Sequence, residues 1–96
     1  MEKIDLMDMS NGEILIEYHN YLHNKNYKLS TVNSYTYAVK IVAERENYTF
    51  FSDLTVDVEI DAIIKKYDRN GAEEQFGNSG KRTVINALKR FREFIY

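Results

Sequence analysis

The sequence predicts an all-α fold, a compact bundle of four to five short helices around one core. Three observations carry that reading. The 96 residues include no proline and only four glycines, and Gly71, Gly77 and Gly80 fall in one short stretch, so helix-breaking residues are nearly confined to one place. Apolar residues recur at three- and four-residue steps through most of the chain, and no segment alternates with the period of two that a half-buried strand requires. At this length about 60–65% of the unfolded surface is buried, enough for one modest core. Residues 1–96 are therefore read as a single domain.

The elements follow in order. Ser10-Asn11-Gly12-Glu13 has the form of a capping box, in which a Ser side chain and a Glu three residues on satisfy orphan amides reciprocally. Ile14, Leu15, Tyr18, Tyr21 and Leu22 continue at helical spacing, which predicts a first helix over 11–25. After a polar break at 24–28, Ser30 is the next expected N-cap. Val32, Tyr35, Ala38, Val39 and Val42 then predict a second helix over 31–46. Asn47 and the pair Phe50-Phe51 form a connection expected to fold back onto the core. A third helix over 57–68 follows from the stripe Val56, Ile60, Ile63, Ile64 and Tyr67. The stretch 68–80 reads as a loop with one turn at 72–76. The last helix, starting near Lys81, is the clearest: Val84, Ala87, Leu88, Phe91, Phe94 and Ile95 form one continuous stripe.

Composition removes several function classes. With no cysteine, disulfides, thiolate metal sites and a cysteine nucleophile are impossible. Met1-Glu2-Lys3-Ile4-Asp5 has neither a basic leader nor an apolar stretch, so no signal peptide is expected. No run approaches the length of a membrane span, and the expected compartment is the cytoplasm. His19 and His23 stand four apart, a spacing that can hold a metal on a helix. They lie opposite Ile14, Tyr18 and Leu22 with no evident third ligand, and read as solvated. Asp57, Glu59 and Asp61 suit the positive N-terminus of the third helix. Gly77-Asn78-Ser79-Gly80 follows no strand and is no phosphate loop. No cofactor and no metal are expected.

The formal net charge is −2, which taken alone argues against nucleic acid. Its distribution says otherwise. Residues 1–24 carry a net −4, residues 25–50 a net +2, residues 51–80 a net −4 and residues 81–96 a net +4. On the last helix Arg82, Asn86, Lys89 and Arg92 fall away from the apolar stripe, with Lys81 and Arg90 beside them. The second helix offers Thr31, Ser34, Tyr37 and Lys40 outside its own stripe. Hydroxyls, amides and cations are the groups that bond phosphate oxygens, and Arg or Asn can also read base edges. The same residues would equally serve as a solvated face, since charge pattern alone is a weak signal.

The run Leu29-Ser30-Thr31-Val32-Asn33-Ser34-Tyr35-Thr36-Tyr37-Ala38-Val39 resembles the entry to the second helix of the core-binding, SAM-like domain of tyrosine recombinases, the phage integrases. The matching positions are Thr31, Tyr35, Val39 and Val42. Lys81-Arg82-Thr83-Val84-Ile85-Asn86-Ala87-Leu88-Lys89-Arg90-Phe91-Arg92-Glu93-Phe94 is similar to the last helix of that domain. Asp53-Leu54-Thr55 followed by Ile60 and Ile63 is similar to its third. The resemblance covers residues 10–96; each motif alone is of low specificity, and their order and spacing together are moderately specific.

The resemblance implies a non-catalytic domain that clamps double-stranded DNA at a recombination site, its second and last helices facing the duplex. Thr31, Ser34, Tyr37, Lys40, Lys81, Arg82, Asn86, Lys89 and Arg92 are the DNA-contacting residues it implies. Catalysis in that family belongs to a separate domain bearing Arg, Lys, His and a Tyr nucleophile, which this chain lacks, so Tyr96 reads as a helix-end aromatic. The expected partners are duplex DNA and a catalytic recombinase domain in cis, the isolated domain being monomeric and oligomeric only in a synaptic complex. A similar domain attached to a nuclease, or a helical protein-interaction module using the acidic segments, are the alternatives.

Overall fold

In the computed structural model, which describes residues 6–96, Ser10 caps the first helix, α1 (Asn11–Asn24), as its spacing to Glu13 predicts. The Glu13 amide donates to Ser10 Oγ at 3.2 Å and the Ser10 amide to Glu13 Oε1 at 3.4 Å. The N-terminal segment Met1–Asp5, read above for a leader, lies outside the described residues. α1 buries Ile14, Tyr18 and Leu22. It ends where Asn26 takes a left-handed backbone (φ 67°), with its amide donating to the His23 carbonyl and that of Tyr27 to Leu22. That is the hydrogen-bond pattern of a Schellman motif, which satisfies the last carbonyls of a helix.

The left-handed Asn26 reverses the chain so tightly that α2 (Leu29–Arg45) starts two residues before the expected position. Its N-cap is Lys28, with no side-chain cap. The expected cap Ser30 instead lies exposed in the first turn. α2 buries Val32, Ala38, Val39, Val42 and Ala43 and ends in a second Schellman pattern, with Asn47 left-handed (φ 63°), its amide donating to Glu44 and that of Tyr48 to Ala43.

A 3-10 turn, Phe51–Thr55, follows. Asn11 fixes it: the side-chain amide donates to the Thr49 carbonyl at 3.0 Å, and Oδ1 accepts the Phe51 amide at 2.8 Å. Phe51 and Leu54 are thereby set into the core, whereas Phe50 is 64% exposed, so only one of the aromatic pair folds back. α3 (Asp57–Tyr67) buries Ile60, Ile63 and Tyr67. Val56, expected in that stripe, is the N-cap and is exposed, because its extended backbone turns it out of the helical register.

The loop after α3 packs on the end of that helix. A Cβ at Gly77 would lie 1.8 Å from the Tyr67 carbonyl oxygen, and one at Gly71 would lie 2.2 Å from that of Lys66. These glycines are there for close backbone approach. The single turn α4 (Glu74–Gly77) occupies the space, two residues later than expected.

α5 (Ser79–Ile95) opens irregularly, with Gly80, Lys81 and Arg82 all left-handed. For each non-glycine residue such a conformation costs about 1–2 kcal/mol, and the regular helix runs from Thr83. Val84, Ile85, Ala87, Leu88, Phe91 and Ile95 are buried. Phe94 is half-buried against Tyr18 and Tyr21, with ring centroids 5.6 and 5.5 Å apart. One hydrophobic cluster draws residues from α1, α2, α3, α5, the 3-10 turn Phe51–Thr55 and, through Leu6, a first 3-10 turn at Leu6–Asp8. The fold is all-α, and among the described residues there is no strand.

Candidate nucleic-acid interface

Ile85 determines how much of α5 is left to meet a partner. It stands outside the predicted apolar stripe, yet it is fully buried, because α3 covers a second flank of the helix. The outer face that remains carries Arg82, Asn86, Lys89 and Arg90, all half-buried, with the exposed Glu93 among them. Lys89 and Arg90 stand three and four residues after Asn86 on one side of the regular helix, and Arg82, in the left-handed turn before it, shares Asp68 with Lys89. Lys81 is exposed in the left-handed turn just before this face and pairs with no acid among the described residues.

The cations of that face are held by carboxylates. Asp68, just past the end of α3, binds two of them: Arg82 Nη2 lies 2.8 Å from Asp68 Oδ1, and Lys89 Nζ lies 3.2 Å from Oδ2. Arg82 Nε also donates to Asn78 Oδ1 at 2.7 Å. The backbone amide of Arg69 donates to Asp68 at 2.8 Å. That bond, with Lys89 and Arg82 beside it, holds the Asp68 carboxyl below the usual carboxylate range. Arg90 Nη1 reaches Glu93 at 2.6 Å within α5.

Arg92 does not share this face. It projects on the flank of Ile85, toward α3, where Nε donates to Asp61 Oδ1 at 2.5 Å and the guanidinium lies 4.9 Å from the Tyr96 ring centroid. The hydrogen bond to Asp61 raises the Arg92 pKa further. The acidic segment 51–80 and the basic segment 81–96, opposite in sign along the chain, thus meet in space.

The α2 residues divide as well. Asn33, Tyr37, Lys40 and Glu44 form one exposed row. At its start Asn33 Oδ1 lies 3.0 Å from His19 Nε2 of α1, so this row borders α1 rather than α5. His19 is therefore half-buried and bonded, not merely solvated. Lys40 pairs with Glu44 at 3.5 Å and lies 5.9 Å from the Tyr37 ring. Thr31 and Ser34 sit on the other side of α2, with Ala38 and Arg45. There α2 packs along α5, and Arg45 stacks on Phe76 of α4 at 4.0 Å and pairs with Glu73 at 2.9 Å. The structure thus places Lys81, Arg82, Asn86 and Lys89 along α5, and Thr31 and Ser34 on the side of α2 that packs along it. It sets Tyr37 and Lys40 on the α1 side and Arg92 on the α3 side.

Sequence reasoning missed Asp61 and Asp68, the residues that meet the basic side chains. The available signal was the opposite sign of adjacent segments, which favours pairing through space. Among the described residues no group of three His, Asp or Glu side chains is placed to hold a metal. No described helix is long and apolar enough to cross a membrane. Between α1 and α2 runs a shallow groove of about 330 Å³ lined by Leu15, Ile16, His19 and Thr36. Comparison with protein-family models, curated proteins and solved structures finds no match to this chain.

Proposed function

We propose that this chain is a DNA-binding domain of the tyrosine-recombinase core-binding type, gripping duplex DNA mainly through its phosphates. The observation that carries this reading is the outer face of α5. Arg82, Asn86, Lys89 and Arg90 lie half-buried along one side of the helix whose other side is buried in the core, with Lys81 at its head and α2, which bears Thr31 and Ser34, packed alongside. Exposed ion pairs of the kind that hold Arg82 and Lys89 are worth little in water, about 0–1 kcal/mol, so a phosphate can compete for both cations. The domain itself performs no chemistry on this reading. It works in the cytoplasm, with a catalytic recombinase domain in cis, and is a monomer in isolation.

The test is a fluorescence-anisotropy titration of a labelled duplex at several salt concentrations. Neutralising four to six phosphates would make log affinity fall with log salt at a slope of roughly −4 to −5. Silence at every salt concentration would instead favour a helical protein-interaction module. One observation supports that second reading: Ile16 and Tyr37 are 61% and 62% exposed on α1 and on the α1 side of α2.

A further inference from the structure

Asp68 is placed unlike the other acids of the chain. Its two carboxylate oxygens are divided between two cations of one helix face, Arg82 through Oδ1 and Lys89 through Oδ2. Arg82 stands in the left-handed turn that opens α5 and Lys89 lies within the regular helix, so a single anion ties the two together. A DNA phosphate offers the same chemistry, an oxyanion that accepts from a guanidinium and an ammonium together.

One further bond holds the Asp68 carboxylate, and others fix its partner Arg82. The Arg69 amide donates to the carboxylate, Asn78 fixes the Arg82 guanidinium from the far side, and Asn78 Nδ2 is itself tied to the Glu74 carbonyl at 2.8 Å and that of Tyr67 at 3.3 Å. Close packing at Gly71 and Gly77 keeps the loop carrying this arrangement against α3. The carboxylate is therefore a built-in part of the face.

We propose that Asp68 is an internal phosphate mimic that masks the α5 face and limits its affinity for polyanions. The inference rests on the DNA-binding reading above. DNA must displace Asp68 from Arg82 and Lys89, or bind beside it against its charge, and either way part of the attraction is lost. Removing one charge a few ångströms from the phosphates would tighten binding about 3–10-fold at low salt, a gain that shrinks as salt screens it.

The experiment compares the 96-residue protein with its Asp68→Asn and Asp53→Asn variants in duplex titrations at low and moderate salt. Asp53 is exposed in the 3-10 turn that precedes α3, at the far end of a helix about 16 Å long, and its substitution changes net charge equally. Asp68→Ser keeps an oxygen for the Arg69 amide and repeats the measurement should Asp68→Asn unfold. The expected result is tighter binding for the Asp68 variants at low salt and a change of less than about twofold for Asp53→Asn. Unchanged or weaker binding by the Asp68 variants, or an equal gain from Asp53→Asn, overturns the masking role while leaving the DNA reading intact. No binding by any of the proteins at any salt concentration overturns both.

Discussion

Tyr18 donates its phenolic hydrogen to the backbone carbonyl of Ala87 at 2.7 Å, a bond that spans 69 positions and ties α1 to α5. The same ring meets Phe91 edge-on with centroids 5.1 Å apart. Tyr18 is fully buried, so its hydroxyl needs a partner, and the Ala87 carbonyl supplies one. Tyr18→Phe keeps the ring and loses only the bond, and the expected destabilisation is about 1 kcal/mol by urea unfolding. Tyr18→Ala removes the ring as well and would cost about 3–5 kcal/mol. Equal effects from the two substitutions would contradict this division of roles.

Two glycines in different surroundings give opposite expectations. Gly77→Ala would drive a Cβ into the Tyr67 carbonyl and lower stability by about 3 kcal/mol or more. Gly12, in the first turn of α1, has open space where a Cβ would stand, and Gly12→Ala would stabilise the protein by about 0.5 kcal/mol. Thermal unfolding of the two variants checks the pair. A tolerated Gly77→Ala would mean that the loop does not press on α3 as described.

Alkaline pH tests the buried phenols. Burial raises the pKa of Tyr18; burial and then the Glu59 carboxylate raise that of Tyr48, whose hydroxyl donates to Glu59 Oε2 at 2.7 Å. Burial also raises that of Tyr67. In the unfolded chain these phenols ionise near pH 10, whereas in the folded protein they stay protonated. Their stabilising effect is therefore fully present below about pH 10 and is lost as pH rises through the folded values. The melting temperature should fall above pH 10, and Tyr48→Phe should flatten part of that fall. A melting temperature level up to pH 12 would refute it.

Much of this architecture is legible in the sequence, and the misses have physical causes. Ser10 with Glu13 announces its helix because the capping box is made by local residues alone. The turn at Asn26 shows in the sequence only as a polar break and that at Asn47 only as the start of a connection, since Asn is a weaker sign of a left-handed cap than Gly. Nothing local marks the left-handed Lys81 and Arg82. A helical wheel shows the α5 stripe and sets Arg92 away from it, and Arg92 is exposed but turned toward α3 by Asp61. The wheel counts one buried arc, and α3 covers a second through Ile85. Segment charges pointed to α5 and did not show that Asp61 and Asp68 lie against it, because that contact depends on how α3 crosses α5.

The central claim is that DNA meets the α2–α5 side. Amide chemical-shift mapping by NMR, with a duplex added to isotope-labelled protein at low salt, tests it most directly. The account predicts shifts concentrated at Lys81, Arg82, Asn86, Lys89 and Arg90 and around Thr31 and Ser34, and little change at Ile16 or Val58. Shifts confined to the α1–α2 groove, or none at any DNA concentration, would contradict it.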